Sequence, residues 1–199
     1  IEFKPNMDEA YSNRGRIKAF HFSKHSEAIL DFNQAIKINP NESSYYFNRA
    51  NAKSNSGDYY GAMSDYDEAI RINSKDTDAY FNRGILKTSH FSDDLSAIDD
   101  FNKVLEIEPD AYDAYGRRGG AKHQLGDFYG AIADFNKSLE YDFPKRNGIF
   151  LLRGLSKEQL GDIKGGCKDI RKSYSLGYRS PAIDISEYLK QRCSSLIFF

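Results

Sequence analysis

Arginine, lysine and aspartate recur along the chain at a nearly constant spacing, and their charges are the first candidates for chemistry. In five segments an arginine is followed by glycine or alanine and, four residues after the arginine, by a lysine. The arginines are Arg14, Arg49, Arg83, Arg118 and Arg153, spaced 35, 34, 35 and 35 residues apart. Aspartates recur with the same fidelity at Asp31, Asp65, Asp100, Asp134 and Asp169. Such sets could form either a charged recognition stripe or an internal layer of ion pairs.

The regularity of these charges favours the internal layer. A residue that contacts a partner has no reason to be identical in every repeat, whereas a packing residue has. Arginine and lysine four residues apart share one face of a helix. The aspartate lies beside the alanine positions of the helix that would pack against that face. We therefore expect a layer of arginine, aspartate and lysine between helices, which fixes geometry more than it adds net stability.

Other residue types that support catalysis or metal binding do not form a recognisable site. His21 and His25 are four residues apart, but they fall at a predicted turn without a third ligand nearby, so we expect solvated histidines. Neither Cys167 nor Cys193 has an evident histidine partner, and both are expected to be reduced thiols in buried positions. No glycine-rich phosphate loop occurs. The sequence predicts no enzyme activity, no metal and no cofactor.

The overall charge and hydropathy narrow the classes of partner. The 199 residues include 28 basic and 29 acidic side chains, so no general attraction to nucleic acid or an anionic membrane is expected. No run of about 18 apolar residues occurs, which argues against direct membrane insertion. The start of the chain lacks the pattern of a signal peptide, so we expect a cytoplasmic protein. The first residues, 1–3, could derive from cloning, and an export signal would then be missing.

Between the arginine segments lies a second recurring pattern, in which alanine, an aliphatic residue, aspartate and an aromatic residue stand at fixed positions. Ala131, Ile132, Asp134 and Phe135 show it in full. The helical spacing of both patterns predicts two amphipathic helices per repeat, with glycine and aspartate pairs between them as stop and cap. The predicted helices span residues 7–20, 25–38, 43–56, 59–72, 77–90, 94–107, 111–125, 128–141, 146–160 and 163–176.

Position by position, the repeat resembles the tetratricopeptide repeat (TPR), which has a period of 34 residues. The second repeat carries the family pattern as Tyr46, Ala50, Gly57, Tyr59, Ala62, Tyr66 and Ala69, with Ser74 where a proline is usual. The resemblance covers about residues 7–178. It implies an all-α fold, an α-solenoid in which tandem helix-turn-helix repeats form a right-handed superhelix.

On this basis the chain divides into five repeats between two tails. The repeats span about 7–42, 43–76, 77–111, 112–146 and 147–178. Residues 1–6 are an N-terminal tail and residues 196–199 an apolar tail. A capping helix at 179–195 is expected to open with Ser180 as cap and Pro181 as its first helical residue. Its apolar stripe should dock on the fifth repeat.

A longer period of 69 residues, equal to two repeats, is also present in the sequence. The first and third repeats share a His-Phe-Ser segment, at 21–23 and 90–92, with one extra residue and no glycine turn. This pattern favours duplication of a block of two repeats, with chance similarity within one family as the alternative.

The resemblance also implies which residues line an inner groove. In the TPR family the first helix of each repeat lines that groove, and the residue before the recurring arginine faces it. Here those residues are Asn13, Asn48, Asn82 and Arg117, and Leu152 ends the row. An asparagine offers a donor and an acceptor, so a row of them can hold the backbone of an extended peptide. Neighbouring positions add Phe47, Asn51, Phe81 and Ile85, which are suited to anchoring side chains.

The sequence therefore predicts a non-enzymatic adaptor or scaffold that binds an extended peptide or a helix of a partner protein in the groove. The alternative is a self-associating structural element, with the apolar tail at 196–199 as the contact between copies. A third hypothesis is binding of a chaperone C-terminal tail, since Asn51, Asn82 and Arg117 match three positions that serve this purpose in the family. Phe47 and Asp113 replace the two lysines of that site, which weakens this hypothesis.

Overall fold

The computed structural model describes residues 7–140, 146–179 and 184–193, and every regular element within these ranges is a helix. The predicted all-α class is confirmed. The α-helices are α1 Met7–Phe22, α2 His25–Ile38, α3 Ser43–Asn55, α4 Tyr59–Ile72, α5 Thr77–Leu86, α6 Asp94–Ile107, α7 Tyr112–Gln124, α8 Phe128–Ser138, α9 Asn147–Gln159, α10 Ile163–Ser175 and α11 Ile185–Cys193. A π-helical turn, Lys87–Phe91, follows α5. The chain forms two compact units, Ile1–Ser92 and Asp93–Phe199.

The N-terminal unit contains α1 to α5, with neighbouring helices packed in chain order. Its core is built from alanines of the second helices and one aromatic ring in each. Ala28 and Phe32 of α2 pack with Ala52 of α3, and Ala62 and Tyr66 of α4 pack in a second cluster. Because alanine adds almost no bulk, the helix axes approach closely and the aromatic ring fills the remaining space.

The C-terminal unit contains α6 to α11 and repeats the same packing. Phe101, Phe135 and Ile170 occupy the position of the buried ring and are at most 1% exposed. The small residue after each arginine is required here, because a Cβ atom added to Gly119 would lie 2.9 Å from the ring of Phe135. The recurring glycine or alanine is thus a packing residue.

The turns within repeats follow two designs. In three repeats a glycine with φ between 80° and 89° ends the first helix, at Gly57, Gly126 and Gly161. The next aspartate then caps the second helix, as when Asp127 accepts the N–H of Gly130 at 2.9 Å. In the first and third repeats the left-handed residue is a serine, Ser23 or Ser92, each with φ of 51°. The extra residue of the third repeat is taken up by the π-helical turn before Ser92.

The prediction that both cysteines are reduced thiols is wrong, because Cys167 and Cys193 form a disulfide. Packing of α11 on α10 brings their Cα atoms to 5.9 Å, within the range that a disulfide spans. Both residues are fully buried. Two further contacts hold α11: Tyr188 donates its hydroxyl hydrogen to the Glu158 carboxylate, and Arg171 donates to the carbonyl oxygen of Cys193 at 2.8 Å.

The capping helix packs on the fifth repeat, where Ile185, Tyr188 and Leu189 join a cluster with Leu151 and Ile170. Its predicted cap residues, Ser180 and Pro181, lie outside the described residues, as do the tails 1–6 and 196–199. In the described part the helix begins at Ile185. The carboxylate of Asp184 accepts the N–H groups of Ser186 and Glu187, which is the role of an N-cap.

Reduction of the disulfide should destabilise the packing of the capping helix α11. The bond joins residues separated by 26 positions, and a loop of this length predicts a loss of about 3 kcal/mol in the free energy of unfolding. We expect a dithiol reductant to lower the melting temperature of the wild type and to speed hydrogen exchange in α11. The double variant Cys167→Ser/Cys193→Ser is the control, and reductant should leave it unchanged. An identical melting curve for reduced and oxidised wild type, with reduction verified by alkylation, would contradict this interpretation.

Candidate functional site

The arginine layer is a set of bidentate ion pairs within repeats. In the second repeat Arg49 donates from Nε and Nη2 to the two carboxylate oxygens of Asp65, at 2.8 and 2.6 Å. Lys53 approaches the same carboxylate at 2.8 Å. The same arrangement occurs in three other repeats, with the sets Arg14–Asp31–Lys18, Arg118–Asp134–Lys122 and Arg153–Asp169–Lys157. The remaining predicted pair, Arg83 with Asp100, has one residue in each unit and stays a prediction.

The aspartates are buried, and their arginine and lysine partners are partly covered, except for Arg14, which is exposed. Asp65 and Asp134 are 4% exposed. Hydrogen bonding to Arg14 holds the pKa of Asp31 below its ordinary value. Burial acts in the opposite direction on Asp169, but hydrogen bonds from Arg153 and Lys157 outweigh it and lower the pKa of that carboxyl. The carboxylates of Asp31 and Asp169 are therefore kept ionised by their partners inside the repeat.

Four of the five arginines make a further contact, to the second helix of the preceding repeat, that sequence reasoning missed. Nη1 of Arg49 donates to the side-chain oxygen of Asn33 at 2.6 Å. The equivalent pairs are Arg83–Asp67, Arg118–Asn102 and Arg153–Asn136, at 2.6, 2.6 and 2.8 Å. The signal was present in the sequence, since an asparagine or aspartate follows the aromatic residue of the second helix in four repeats. The layer thus joins neighbouring repeats as well as the helices within one.

An aromatic ring completes the surroundings of each guanidinium. The side chain three residues before the arginine places its ring beneath the guanidinium carbon, as Tyr46 does below Arg49 at 5.5 Å. The same contact is present in all five repeats, at 5.3 to 5.5 Å. A planar guanidinium suits this stacked and bidentate arrangement, and a lysine ammonium does not.

The predicted groove residues of the N-terminal unit lie on α1, α3 and α5, and we call this set the first-helix face. Its members are Asn13, Phe47, Asn48, Asn51, Phe81, Asn82 and Ile85. Asn13 is exposed and the other six are half-buried. Arg117, the predicted groove residue of the next repeat, is exposed on α7 in the C-terminal unit, as is Asp113.

Within the first-helix face, two of the predicted amides are joined. Asn82 donates from Nδ2 to Oδ1 of Asn51 at 3.1 Å, which links α5 to α3. The hydroxyl of Tyr66 donates to the same oxygen at 2.6 Å. Burial raises the pKa of the Tyr66 phenol, so this donor stays protonated. The side chain of Phe47 lies beside this group, with its ring centroid 6.1 Å from that of Tyr66.

The two histidines that were expected to be solvated differ in their exposure. His21 is exposed, whereas His25 is half-buried with Nδ1 unpaired among the described residues. In the described parts of the chain, one group has three potential metal ligands close together: Glu158, Cys167 and Cys193. Its two sulfur atoms are bonded to each other. No helix in the described ranges is long and apolar enough to cross a membrane.

Paired helices with a period of 34 or 35 residues, alanine-lined contacts and a buried ring in each second helix define a helical-repeat protein. Profiles described as "Tetratricopeptide repeat" match residues 32–63 and 112–144. The chain therefore contains tetratricopeptide repeats, as the sequence pattern indicated. No curated protein sequence matches it.

Solved structures of TPR proteins share the fold at low sequence identity. MamA from Desulfovibrio magneticus RS-1 is 18% identical with a TM-score of 0.77, over 85% of this chain and 94% of that one. YrrB, described as a TPR protein with an unusual peptide-binding site, is 15% identical with a TM-score of 0.76, over 91% and 90%. PilW, a type IV pilus biogenesis factor, is 17% identical with a TM-score of 0.77, over 96% and 91%. These likenesses confirm the α-solenoid class.

Loss of one buried aspartate should destabilise the protein far more than loss of an exposed one. Asp134→Ala leaves Arg118 and Lys122 without their shared carboxylate, and removal of one partner of a buried pair costs roughly 3 kcal/mol. Asp99→Ala is the matched control, because Asp99 is exposed in the same unit. We expect urea unfolding to show a large decrease in midpoint for the first variant and little change for the second. Equal midpoints would exclude a structural role for the layer.

Proposed function

We propose that the protein is a non-enzymatic scaffold that binds an extended peptide or a helix of a partner protein on the first-helix face. The observation that carries the proposal is the pair Asn51 and Asn82. After their mutual hydrogen bond, Nδ2 of Asn51 and Oδ1 of Asn82 have no partner among the described residues. One donor and one acceptor side by side are what a peptide group of a ligand requires.

The residues around the pair depart together from the repeat pattern. Position 66 is the one tyrosine among the buried rings of the second helices, and its hydroxyl is used to hold Asn51. The positions equivalent to Asn51 hold Arg16, Ile85, Gly120 and Leu155. A hydroxyl and an amide that occur together in one repeat, in contact with each other, support a local specific function rather than a requirement of the fold.

Half-buried apolar groups beside the pair supply anchoring surface. Phe47 precedes Asn48 on α3, and Ile85 lies one helical turn after Asn82 on α5. Aromatic and aliphatic anchors in partly covered positions provide most of the binding energy in peptide complexes, while the amides orient the backbone. TPR proteins are in general protein-interaction scaffolds, and YrrB, a TPR protein with an unusual peptide-binding site, is an example of this use of the fold.

The proposal is tested with partners captured from the source proteome by the immobilised full chain. For each captured partner, calorimetry then measures the affinity of its minimal binding segment for the purified wild type and variants. We expect Asn51→Ala/Asn82→Ala to weaken binding about tenfold or more, since two hydrogen bonds are lost. Asn55→Ala, an exposed asparagine at the end of the same helix α3, should bind as the wild type does. Unchanged affinity of the double variant would refute binding on this face.

We further propose that the protein works in an oxidising compartment rather than in the cytoplasm expected from the sequence. The buried disulfide supports this, because disulfides persist in oxidising environments and are rare where thiols are kept reduced. Rapid acid quenching of cells that express the protein, followed by alkylation and mass analysis, measures the redox state. We expect Cys167 and Cys193 to escape alkylation without prior reduction. Full alkylation of both cysteines would place the protein in a reducing compartment.

A further inference from the structure

Three neighbouring residues beside the disulfide depart from the repeat pattern together. Gly166 replaces an alanine that is fully buried in the other four repeats, and Cys167 replaces an isoleucine or methionine. Glu158 on α9 stands where the other repeats have Ala19, Ser54, Thr88 and His123. A Cβ atom added to Gly166 would overlap Cγ of Glu158, so the glycine makes room for the glutamate beside Cys167. Changes that fit one another in a single repeat support a local role rather than a requirement of the fold.

The Glu158 carboxylate lies close to both sulfur atoms of the disulfide. Its Oε1 atom is 4.0 Å from Sγ of Cys167. Within the described ranges, one donor atom from each of Glu158, Cys167 and Cys193 lies within 4.8 Å of the other two. The carboxylate accepts a hydrogen bond from the hydroxyl of Tyr188 and forms no ion pair with a residue that the structure describes. The helices α9, α10 and α11 thus bring two sulfur atoms and one carboxylate oxygen together.

These donor atoms suit a zinc ion once the S–S bond is broken, since thiolates and carboxylates are ligands of Zn²⁺ in proteins. A tetrahedral ion with bonds of about 2.3 Å to sulfur and about 2.0 Å to oxygen holds two sulfur atoms about 3.8 Å apart, and a sulfur and an oxygen about 3.5 Å apart. The Glu158 oxygen and the Cys167 sulfur are already close to the second of these distances. Because the Cα atoms of the two cysteines are 5.9 Å apart, rotation of their side chains can provide the first.

We propose that Cys167, Cys193 and Glu158 form a Zn²⁺ site that opens when the disulfide is reduced. In the oxidised chain the two sulfur atoms are bonded to each other and the site is closed. A dithiol reductant supplies two electrons and two protons to the S–S bond and becomes a disulfide itself. The two thiols then release their protons as Zn²⁺ binds. Glu158 and Tyr188 are half-buried, which leaves a fourth coordination position that water can fill.

The zinc ion would take over the structural role of the disulfide. Either state joins α10 to α11, and the zinc ion adds α9 through Glu158, so the capping helix stays docked in both. The proposal is independent of peptide binding on the first-helix face, since none of its residues lies there. No metal was predicted from the sequence, because the three ligands come from three helices and α11 lies outside the repeats.

The test titrates the full chain with Co²⁺ as a spectroscopic probe and then with Zn²⁺ against a chromogenic chelator. The chain is first reduced with a phosphine without oxygen. We expect about one ion per reduced chain, with thiolate-to-cobalt charge-transfer absorption and the spectrum of a tetrahedral ion, and no binding to the oxidised chain. Glu158→Gln keeps an acceptor for Tyr188 and should weaken binding at least about tenfold. Glu187→Gln, at an exposed glutamate of α11, is the matched control and should bind normally.

Hydrogen exchange measures whether the ion fastens the capping helix. Zn²⁺ should slow exchange in α11 of the reduced wild type and leave the double variant Cys167→Ser/Cys193→Ser unchanged. Four results would overturn the proposal: no binding to the reduced chain, binding that the double variant retains, binding that Glu158→Gln leaves unchanged, and fast exchange in α11 that Zn²⁺ does not reverse. The second would place the ion elsewhere in the chain, and the third would exclude the carboxylate as a ligand. Circular dichroism verifies that each variant is folded.

Discussion

One guanidinium in each repeat determines how the helices of this protein can be arranged. Arg49 uses one side of its planar group for both oxygens of Asp65, the remaining nitrogen for Asn33 of the preceding repeat, and its face for the ring of Tyr46. Each contact has a narrow range of productive geometry. Together they fix the distance between the helices within a repeat and the position of the repeat before it. The arginine cannot be exchanged for lysine, since only a planar fork satisfies two carboxylate oxygens and a third acceptor at once.

The buried charges contribute specificity more than net stability. Removing Asp65 and Asp134 from water costs free energy that the ion pairs return only when the geometry is nearly ideal. The paired lysine supplies a second cation to each carboxylate, as Lys53 does for Asp65. The apolar part of the interface, made of alanines and one ring, has little shape that would distinguish one helix register from the next. The charged layer provides that distinction.

Much of this framework could be predicted from the sequence, because it repeats. The predicted helices agree with the structure to within a few residues, and the arginine, aspartate and lysine sets were predicted from their recurrence alone. The acceptor row that includes Asn33 and Asn136 was missed although it recurs in four repeats, because a polar residue after an aromatic one has no evident partner until the neighbouring repeat is in place. The disulfide was missed because Cys193 lies outside the repeat pattern and only the docking of α11 brings it to Cys167. Recurrence in the sequence reveals residues that every repeat shares. A contact that occurs once, such as the disulfide, is recognised only when the packing of the helices is known.

The same reasoning separates framework from function on the first-helix face. Five arginines are identical, whereas the positions two residues later hold Arg16, Asn51, Ile85, Gly120 and Leu155. A position that accepts such different side chains is not constrained by packing, so its identity in each repeat is available for recognition. Among these five positions in the described part of the chain, Asn51 is the one whose side chain is held by two hydrogen bonds, from the hydroxyl of Tyr66 and the amide of Asn82. Orienting an amide lowers the entropy that it would lose on binding a peptide group, and this pre-organisation is the reason for proposing Asn51 as a binding residue.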